Sequence, residues 1–283
     1  MLTINLFNGL VYGTLLIIMC SGLALIYGLR RVVNFAHGSL YMLGAYLGYS
    51  IAVYGNFWLA LIAVPAIMAF IGVLLDRYGF RLLQDRDPLT VVLVTFGLLL
   101  IIEDVVQTIW GKGNLSVETP ALLASTVTFL GTNLPVYRIG VIVVGAAVAI
   151  GLTLWLRYSR VGLFVRAAST DPTTTSMQGV NTDALSAIVV GLGTALAGLA
   201  GVVAAPFLAL SPSMSSDVLI DSFVVVVVGG LGSLAGAFVA ALALGLIQSI
   251  GAVYIPDLAA VLPFAVMVAV LLWKPAGFAG SRT

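Results

Sequence analysis

Residues 6–28 read LFNGLVYGTLLIIMCSGLALIYG, a largely apolar run without a charged side chain. A helix needs about 20 such residues to cross the roughly 30 Å hydrocarbon core of a bilayer. Because lipid offers the backbone no hydrogen-bond partner, a crossing segment of this kind is helical. The run therefore predicts a membrane span. The first basic residue is Arg30, so no basic region precedes the run, and we expect it to be retained rather than cleaved as a signal peptide.

The composition of the whole chain supports a membrane protein. Of its 283 residues, 61% are hydrophobic and 8% are charged, whereas soluble domains carry about 25% charged residues. This excludes a soluble enzyme, a nucleic-acid-binding protein and a disordered protein. Cys20 is the only cysteine and His37 the only histidine. The sequence therefore predicts no internal disulfide, no histidine metal site and no histidine proton relay.

Further apolar runs predict the architecture. Continuous runs disfavour a β-barrel, whose strands alternate in hydrophobicity. We expect an all-α polytopic transmembrane helical bundle, one domain over residues 1–283, with about eight spans. The expected spans are 6–28, 39–54, 57–75, 89–109, 139–157, 184–206, 234–250 and 258–273. The run 218–228 would be only about 16 Å long as a helix and precedes Gly229-Gly230-Leu231-Gly232, so it predicts a Gly-broken half-helix or a re-entrant segment.

The distribution of basic residues predicts the orientation. Basic residues concentrate on cytoplasmic loops, and here they follow the first, third and fifth spans. The loops 76–88 and 158–183 are therefore predicted to be cytoplasmic and the N-terminus external. Lys274 and Arg282 suggest a cytoplasmic C-terminus. Opposite termini require an odd number of crossings, which the eight full spans satisfy only if 218–228 also crosses; a re-entrant segment is the alternative.

Several polar side chains lie next to or within the spans. The segment Asn34–Ser39 contains His37 and is either a polar loop, with His37 bonded to a backbone carbonyl, or an unwound junction that lines a substrate path. Ser39 is a candidate N-cap for a helix that starts near Leu40. Asp221 is a candidate pathway residue, because acids within spans usually face a cavity or a partner. Asp217 is interpreted as a candidate helix N-cap.

Two further patterns concern helix packing. Glycines with GxxxG spacing let helices approach closely, and they predict either packing within one bundle or a dimer interface. These pairs are Gly9/Gly13, Gly44/Gly48 and Gly232/Gly236. The acids Glu103 and Asp104 lie near the outer end of the fourth span and are interpreted as a span terminus or an interhelical pair.

The loop 158–183 contains signals for a short helix. Asp171-Pro172 is a favourable helix start and Gly179 a favourable stop. These signals predict about two helical turns on the cytoplasmic face, either as a docking surface or as a plain solvated helix. Neither Lys112 nor Lys274 lies in a G-x-x-x-x-G-K-[ST] motif. If transport is driven by ATP, another chain must therefore bind the nucleotide.

Taken together, these motifs resemble one family. The chain is similar to the LivH-type permeases, membrane subunits of branched-chain amino-acid ABC importers of bacteria and archaea. It departs from their pattern at Thr173–Thr175, where acidic and alanine residues are common, and at Phe278, where leucine is common. The segments that carry the resemblance are GLALIYG at 22–28, VVNFAHG at 32–38, YMLGAY at 41–46, RAA at 166–168 with Asp171, GVN at 179–181, FVVVVVGGLGS at 223–233 and KPAGFAG at 274–280.

The resemblance implies a multi-pass, non-catalytic subunit of the bacterial or archaeal cytoplasmic (inner) membrane. Its implied partners are a LivM-like second permease or a second copy, two ABC ATPase subunits that bind the ATP, and an extracytoplasmic substrate-binding protein. No cofactor is expected on this chain. The segment that couples to the ATPases would include Arg166, Asp171, Gly179 and Asn181. Our hypothesis for the substrate pathway names Asn34, His37, Asp221, Gly229, Gly230 and Gly232.

Other functions are weighed against this one. Relatives of similar sequence import urea, short amides or other amino acids, so the substrate stays open. A stand-alone facilitator or channel would need no ATPase, and the short cytoplasmic helix would then have no partner. A membrane enzyme should show clustered catalytic carboxylates or histidines, which this sequence lacks.

Overall fold

The computed structural model describes residues 2–83, 86–129 and 132–279. Gly280 and Arg282, which belong to the predicted C-terminal motif and charge pattern, lie outside these residues. The described α-helices are α1 (Leu2–Arg30), α2 (Ala36–Tyr54), α3 (Phe57–Leu75), α4 (Pro88–Trp110), α5 (Val136–Tyr158), α6 (Arg160–Thr170), α7 (Pro172–Met177), α8 (Thr182–Ala204), α9 (Met214–Gly229), α10 (Leu234–Tyr254) and α11 (Leu262–Trp273). A π-helical turn, Asp76–Phe80, extends α3, and the strands β1 (Thr126–Phe129) and β2 (Thr132–Pro135) form an antiparallel hairpin.

The all-α polytopic bundle predicted from the sequence is confirmed, but not the number of spans. Within the described residues, six helices are long and apolar enough to cross a membrane: Leu2–Arg30, Phe57–Phe80, Pro88–Trp110, Val136–Tyr158, Thr182–Ala204 and Leu234–Tyr254. Helix α2 matches the predicted span 39–54 in position and is mostly buried inside the bundle. The span predicted at 258–273 is a helix of only 12 residues, α11, which starts next to Pro263. Proline suits a helix start because it has no N–H to bond within the helix.

The predicted half-helix is longer than the run 218–228. Helix α9 has 16 residues and starts at Met214, which corresponds to about 24 Å. The residue before it, Ser213, makes no side-chain cap. Asp217 therefore lies inside the first turn, and its interpretation as an N-cap is wrong. A carboxylate there is still favourable, because the helix dipole is positive at the N-terminus.

Helix α1 lies at the centre of the bundle. It contacts α5, α8, α9 and α10, and most of its apolar stretch is buried. Its glycines allow this packing: a Cβ added at Gly13 would lie 2.9 Å from both the Ala241 carbonyl oxygen and the Leu242 Cα. Gly9 packs on Gly245 and Leu246 in the same way. These glycines therefore pack within the subunit.

Helices α3, α4 and α5 form the periphery. Most of the apolar stretch of each is exposed in the isolated chain. Large apolar side chains such as Phe70, Leu93 and Val143 project outward from them. In a membrane these faces contact lipid, which carries no penalty for apolar exposure.

The chain turns sharply between α1 and α2. Residues 31–35 are not helical, and the Nε2 atom of His37 lies 3.1 Å from the carbonyl oxygen of Met19. Helix α2 therefore begins beside the middle of α1. The prediction that Ser39 caps this helix is wrong: the helix starts at Ala36, and the Ala36 N–H donates to Asn34 Oδ1 at 3.1 Å.

Two ends of the bundle can be distinguished. We call one of them the basic end. Helices α1, α6, α9 and α11 all finish there, and Arg31, Ser169 and Pro275 line one cavity at this end. At the opposite end, the loop after α4 pairs with the loop after α8 through two backbone hydrogen bonds between Leu115 and Leu210. Lys274 thus lies at the same end as the loops predicted to be cytoplasmic.

We expect Gly13→Ile to destabilise the fold, because its side chain would overlap the α10 backbone. Overpacking of this kind costs about 1–3 kcal/mol or more, so thermal unfolding in detergent should shift down by roughly 5 °C. The matched control is Gly151→Ile on α5, where an added Cβ has no atom within 4 Å. Equal melting temperatures for the two variants would contradict the central position of α1.

Candidate translocation and coupling sites

A polar cluster joins three helices inside the bundle. Asp221 on α9 accepts a hydrogen bond from the Tyr12 hydroxyl of α1 at 2.5 Å. Its other oxygen accepts from Gln248 Nε2 of α10 at 2.9 Å. Acids are costly within a membrane and usually mark a path or a partner. Two neutral donors satisfy this carboxylate without an opposite charge, so it can still attract a cation.

The Asp221 carboxylate borders an open cleft of about 350 Å³. Asp217 and Gln248 also line it, together with Pro263 and Phe264 at the start of α11. The sequence pointed to Asp221 but missed Tyr12 and Gln248. The available signal was a polar side chain inside a predicted span, which both residues provide.

An apolar pocket of about 140 Å³ adjoins this cleft and shares Ile220 and Phe264 with it. Leu23 of α1, Phe35 of the α1–α2 linker and Met267 of α11 complete much of its wall. All of the described residues that line it are apolar. A carboxylate beside an aliphatic pocket suits a ligand with an ammonium group and a hydrophobic side chain.

The two predicted pathway residues at the α1–α2 junction are buried beside the core. His37 is fully buried, and since a carbonyl only accepts, its Nε2 carries the hydrogen that points to Met19. The expected bond from His37 to a backbone carbonyl is therefore present. Asn34 is also buried, and its Nδ2 has no hydrogen-bond partner among the described residues.

The three predicted pathway glycines lie at the basic end. Gly230 and Gly232 have φ values of 101° and 83°, a region that other residues adopt only with strain. They form the turn between α9 and α10. Gly229 packs against Gly236 and Ala237 and lies two turns of α9 beyond Asp221. The structure thus separates the predicted pathway residues into the cleft, the α1–α2 junction and this turn.

A buried charge network stabilises the basic end. Asp76, in the π-helical turn, has no solvent exposure and pairs with Arg30 at 2.7 Å and Arg81 at 3.2 Å. It also accepts a hydrogen bond from the Ser186 hydroxyl at 2.6 Å. Arg81 in turn reaches Asp183 at 3.6 Å. The network ties the ends of α1 and α3 to the start of α8, and sequence reasoning missed Asp76.

The predicted cytoplasmic helix is present as α7 and is shorter than two full turns. Asp171 caps it: one carboxylate oxygen accepts from the Thr174 N–H at 3.0 Å and the other from its hydroxyl at 2.5 Å. Gly179, at φ 84°, ends the turn that follows it. Asn181 then caps α8 by accepting from the Ala184 N–H at 2.9 Å. The Thr174 hydroxyl thus takes part in the cap, which gives one of the threonines at 173–175 a structural role.

The surface around α7 is exposed on its outer side, while Val165 and Ala168 of α6 pack into the core of the bundle. Arg166 and Met177 are exposed. The Arg31 guanidinium of the α1–α2 linker donates to the Ser169 carbonyl, near the end of α6, at 3.2 Å. A displacement of α6 and α7 therefore reaches the linker directly.

The family described as branched-chain amino acid transport system, permease component, matches residues 5–271 of this chain. The chain belongs to this family. The permease is 27% identical to LivH of Escherichia coli K12, over 98% of this chain and 94% of the relative. It is 29% identical to BraD of Pseudomonas aeruginosa, over 98% and 95%, and 26% identical to a probable LivH of Methanocaldococcus jannaschii, over 96% and 91%. These relatives are named branched-chain amino acid transport permeases.

We expect Asp171→Ala to loosen α7 in the permease. The hydrogen bonds from Thr174 hold the pKa of Asp171 below its usual value. The cap is therefore present above that usual pKa and is lost only as the pH falls through the lower folded value. Hydrogen exchange of residues 172–178 at neutral pH should become severalfold faster.

The matched control is Thr173→Ala, whose side chain makes no described hydrogen bond, and it should leave exchange unchanged. If Asp171→Ala also leaves it unchanged, the cap does not stabilise α7.

Proposed function

We propose that this permease is the membrane-spanning subunit of an ATP-driven importer of branched-chain amino acids. The observation that carries the proposal is the capped helix α7, exposed at the basic end and connected through Ser169 and Arg31 to the α1–α2 linker. Positive charge concentrates on cytoplasmic loops, which supports a cytoplasmic location for this end. The family membership and the names of the relatives support the substrate class.

The energy source lies on other chains. The 283 residues contain no P-loop, so ATP is bound by two ABC ATPase subunits that dock on α6 and α7. A LivM-like permease, or a second copy of this chain, pairs with it. An extracytoplasmic binding protein delivers the substrate at the opposite end. Relatives in bacteria and in an archaeon support a cytoplasmic membrane location.

Coupling follows the contacts at the basic end. When the ATPases close, they displace α7 and α6, and the Arg31–Ser169 hydrogen bond passes the displacement to the linker. The Asp76 network holds the ends of α1, α3 and α8 together meanwhile. The linker therefore moves relative to a fixed frame. It carries Phe35, which lines the apolar pocket next to the cleft.

The cleft and the pocket account for the substrate. The Asp221 carboxylate receives the ammonium group, and the apolar pocket receives the branched side chain. Urea and short amides have neither group, so they need neither feature. A stand-alone channel would leave the capped α7 without a partner.

We expect Asp221→Asn to reduce leucine uptake by cells at subsaturating substrate by roughly tenfold, which corresponds to about 1.4 kcal/mol. The amide keeps the size of the side chain but removes the charge that holds the ammonium group. Asp257→Asn is the control, because Asp257 is exposed outside the cleft. Unchanged uptake by correctly folded Asp221→Asn protein would remove Asp221 from the pathway.

The docking role is tested by purification. We expect the tagged chain, extracted from its native membrane in mild detergent, to bring P-loop ATPases and a second permease with it. Replacing residues 172–177 by Gly-Ser repeats should abolish recovery of the ATPases, because α7 is then lost. The Thr173→Ala variant should retain them. A solitary homo-oligomer from the wild type would favour the channel and overturn the importer.

A further inference from the structure

A cavity of about 250 Å³ at the basic end is lined by three arginines that the transport proposal does not use as ligands. Arg30 and Arg31 reach it from the end of α1, and Arg86 reaches it from the chain just before α4. Apolar side chains, among them Ile26 and Phe80, complete the wall. The cavity therefore combines concentrated positive charge with an apolar surface.

A buried donor without a partner also lines this cavity. Asn34 is 2% exposed and its Oδ1 is used to cap α2. Its Nδ2 has no hydrogen-bond partner among the described residues. A buried donor left unpaired is destabilising, because it has lost its bonds to water. An acceptor atom in the cavity would remove this cost.

The backbone at Arg31 carries a second sign of a functional role. Arg31 has a φ of 53° and is the one residue other than glycine with positive φ among those that the structure describes. Glycine usually occupies this position after a helix, and other residues there are strained. An arginine at a backbone position that favours glycine points to a functional role for its side chain.

Among the residues that the structure describes, the positive charges of the cavity are only partly paired. Asp76 pairs with Arg30, whereas Asp87, which caps the Leu89 N–H at 3.1 Å, forms no ion pair among the described residues and does not line the cavity. Neither Arg31 nor Arg86 forms an ion pair within the described part of the chain. None of the described residues that line the cavity is acidic.

We propose that this cavity binds a phosphate group, supplied by an anionic phospholipid. A zwitterionic amino acid would place its ammonium group among three guanidinium groups, whereas a phosphate meets only donors. Arginine binds phosphate oxygens through paired hydrogen bonds. The cavity lies between the α1–α2 linker and the start of the peripheral helix α4, and the exposed Leu82 and Leu89 are next in sequence to its lining residues Leu83 and Pro88, where they can contact acyl chains. Basic pockets on the cytoplasmic side are suited to lipid headgroups.

The site would connect the lipid composition to coupling. Arg31 lines the cavity and also bonds the Ser169 carbonyl next to α7. A phosphate bound there would fix the Arg31 side chain and with it the contact to the coupling segment.

The test is binding to the purified full-length chain in mild detergent, measured by native mass spectrometry. We expect dioleoyl-phosphatidylglycerol to bind at least about tenfold more tightly than dioleoyl-phosphatidylcholine, because the choline cation opposes the arginines. Arg86→Gln should weaken phosphatidylglycerol binding about tenfold. The control is Arg77→Gln in the π-helical turn, where Arg77 lies over the Tyr78 ring and outside the cavity. It should bind like the wild type.

A second variant tests the amide. Asn34→Asp keeps the oxygen that caps α2 but replaces the unpaired donor by a carboxylate, and it should also lose phosphatidylglycerol. Arg86→Gln changes an exposed side chain, so the test stands even if Asn34→Asp does not fold.

Competition distinguishes the sources of the phosphate. Displacement of the lipid by millimolar inorganic phosphate would support a phosphate site filled from solution, and resistance to it would support the lipid. Displacement by millimolar leucine would overturn the proposal, as would equal binding by the wild type and both cavity variants. This assay needs neither transport nor an ATPase. Loss of the lipid site would therefore leave the importer proposal intact, and loss of the importer proposal would leave the lipid site intact.

Discussion

The fold depends on one constraint: every backbone amide inside the hydrocarbon region must be bonded within the protein. At two breaks in the bundle, between α1 and α2 and between α9 and α10, a neighbouring side chain bonds one of the freed amides. Asn34 bonds the first amide of α2, and Ser233 bonds the Gly236 N–H of α10 at 3.2 Å. Each of these bonds removes the cost of one unpaired amide at a break.

The same constraint explains the C-terminal segment. The N–H groups of Phe278 and Ala279 donate to the Val228 and Gly229 carbonyls at 2.9 and 3.0 Å. These are the carbonyls that a helix cannot satisfy at its own end. Gly277, with a φ of 76°, brings the segment close to Gly230. The sequence similarity of this ending to related permeases thus has a structural reason: it completes α9.

How much was predictable differs between long and local features. Continuous apolar runs predicted the positions of α1, α3, α4, α5, α8 and α10, because the length needed to cross a bilayer is a strong signal. Helix starts were predicted less well. Asn34, not Ser39, bonds the first amide of α2, and α9 begins at Met214, before Asp217. Asp171 was predicted correctly as the residue that starts α7, and Gly179 as the residue that stops it, because both signals are local. Pairing over long distances was invisible, since no pattern in one sequence places Tyr12 beside Asp221 or Arg30 beside Asp76.

The central position of α1 has a consequence for biosynthesis. Helix α1 leaves the ribosome before its partner α10, which ends 224 residues after it, at Tyr254. At about 5–20 residues per second, translation separates the two by roughly 10–45 s. During that interval α1 lies in the membrane without α10, the helix that it contacts most extensively. A helix free of charge over residues 6–28 can do so, and its glycines then receive α10 when translation delivers it.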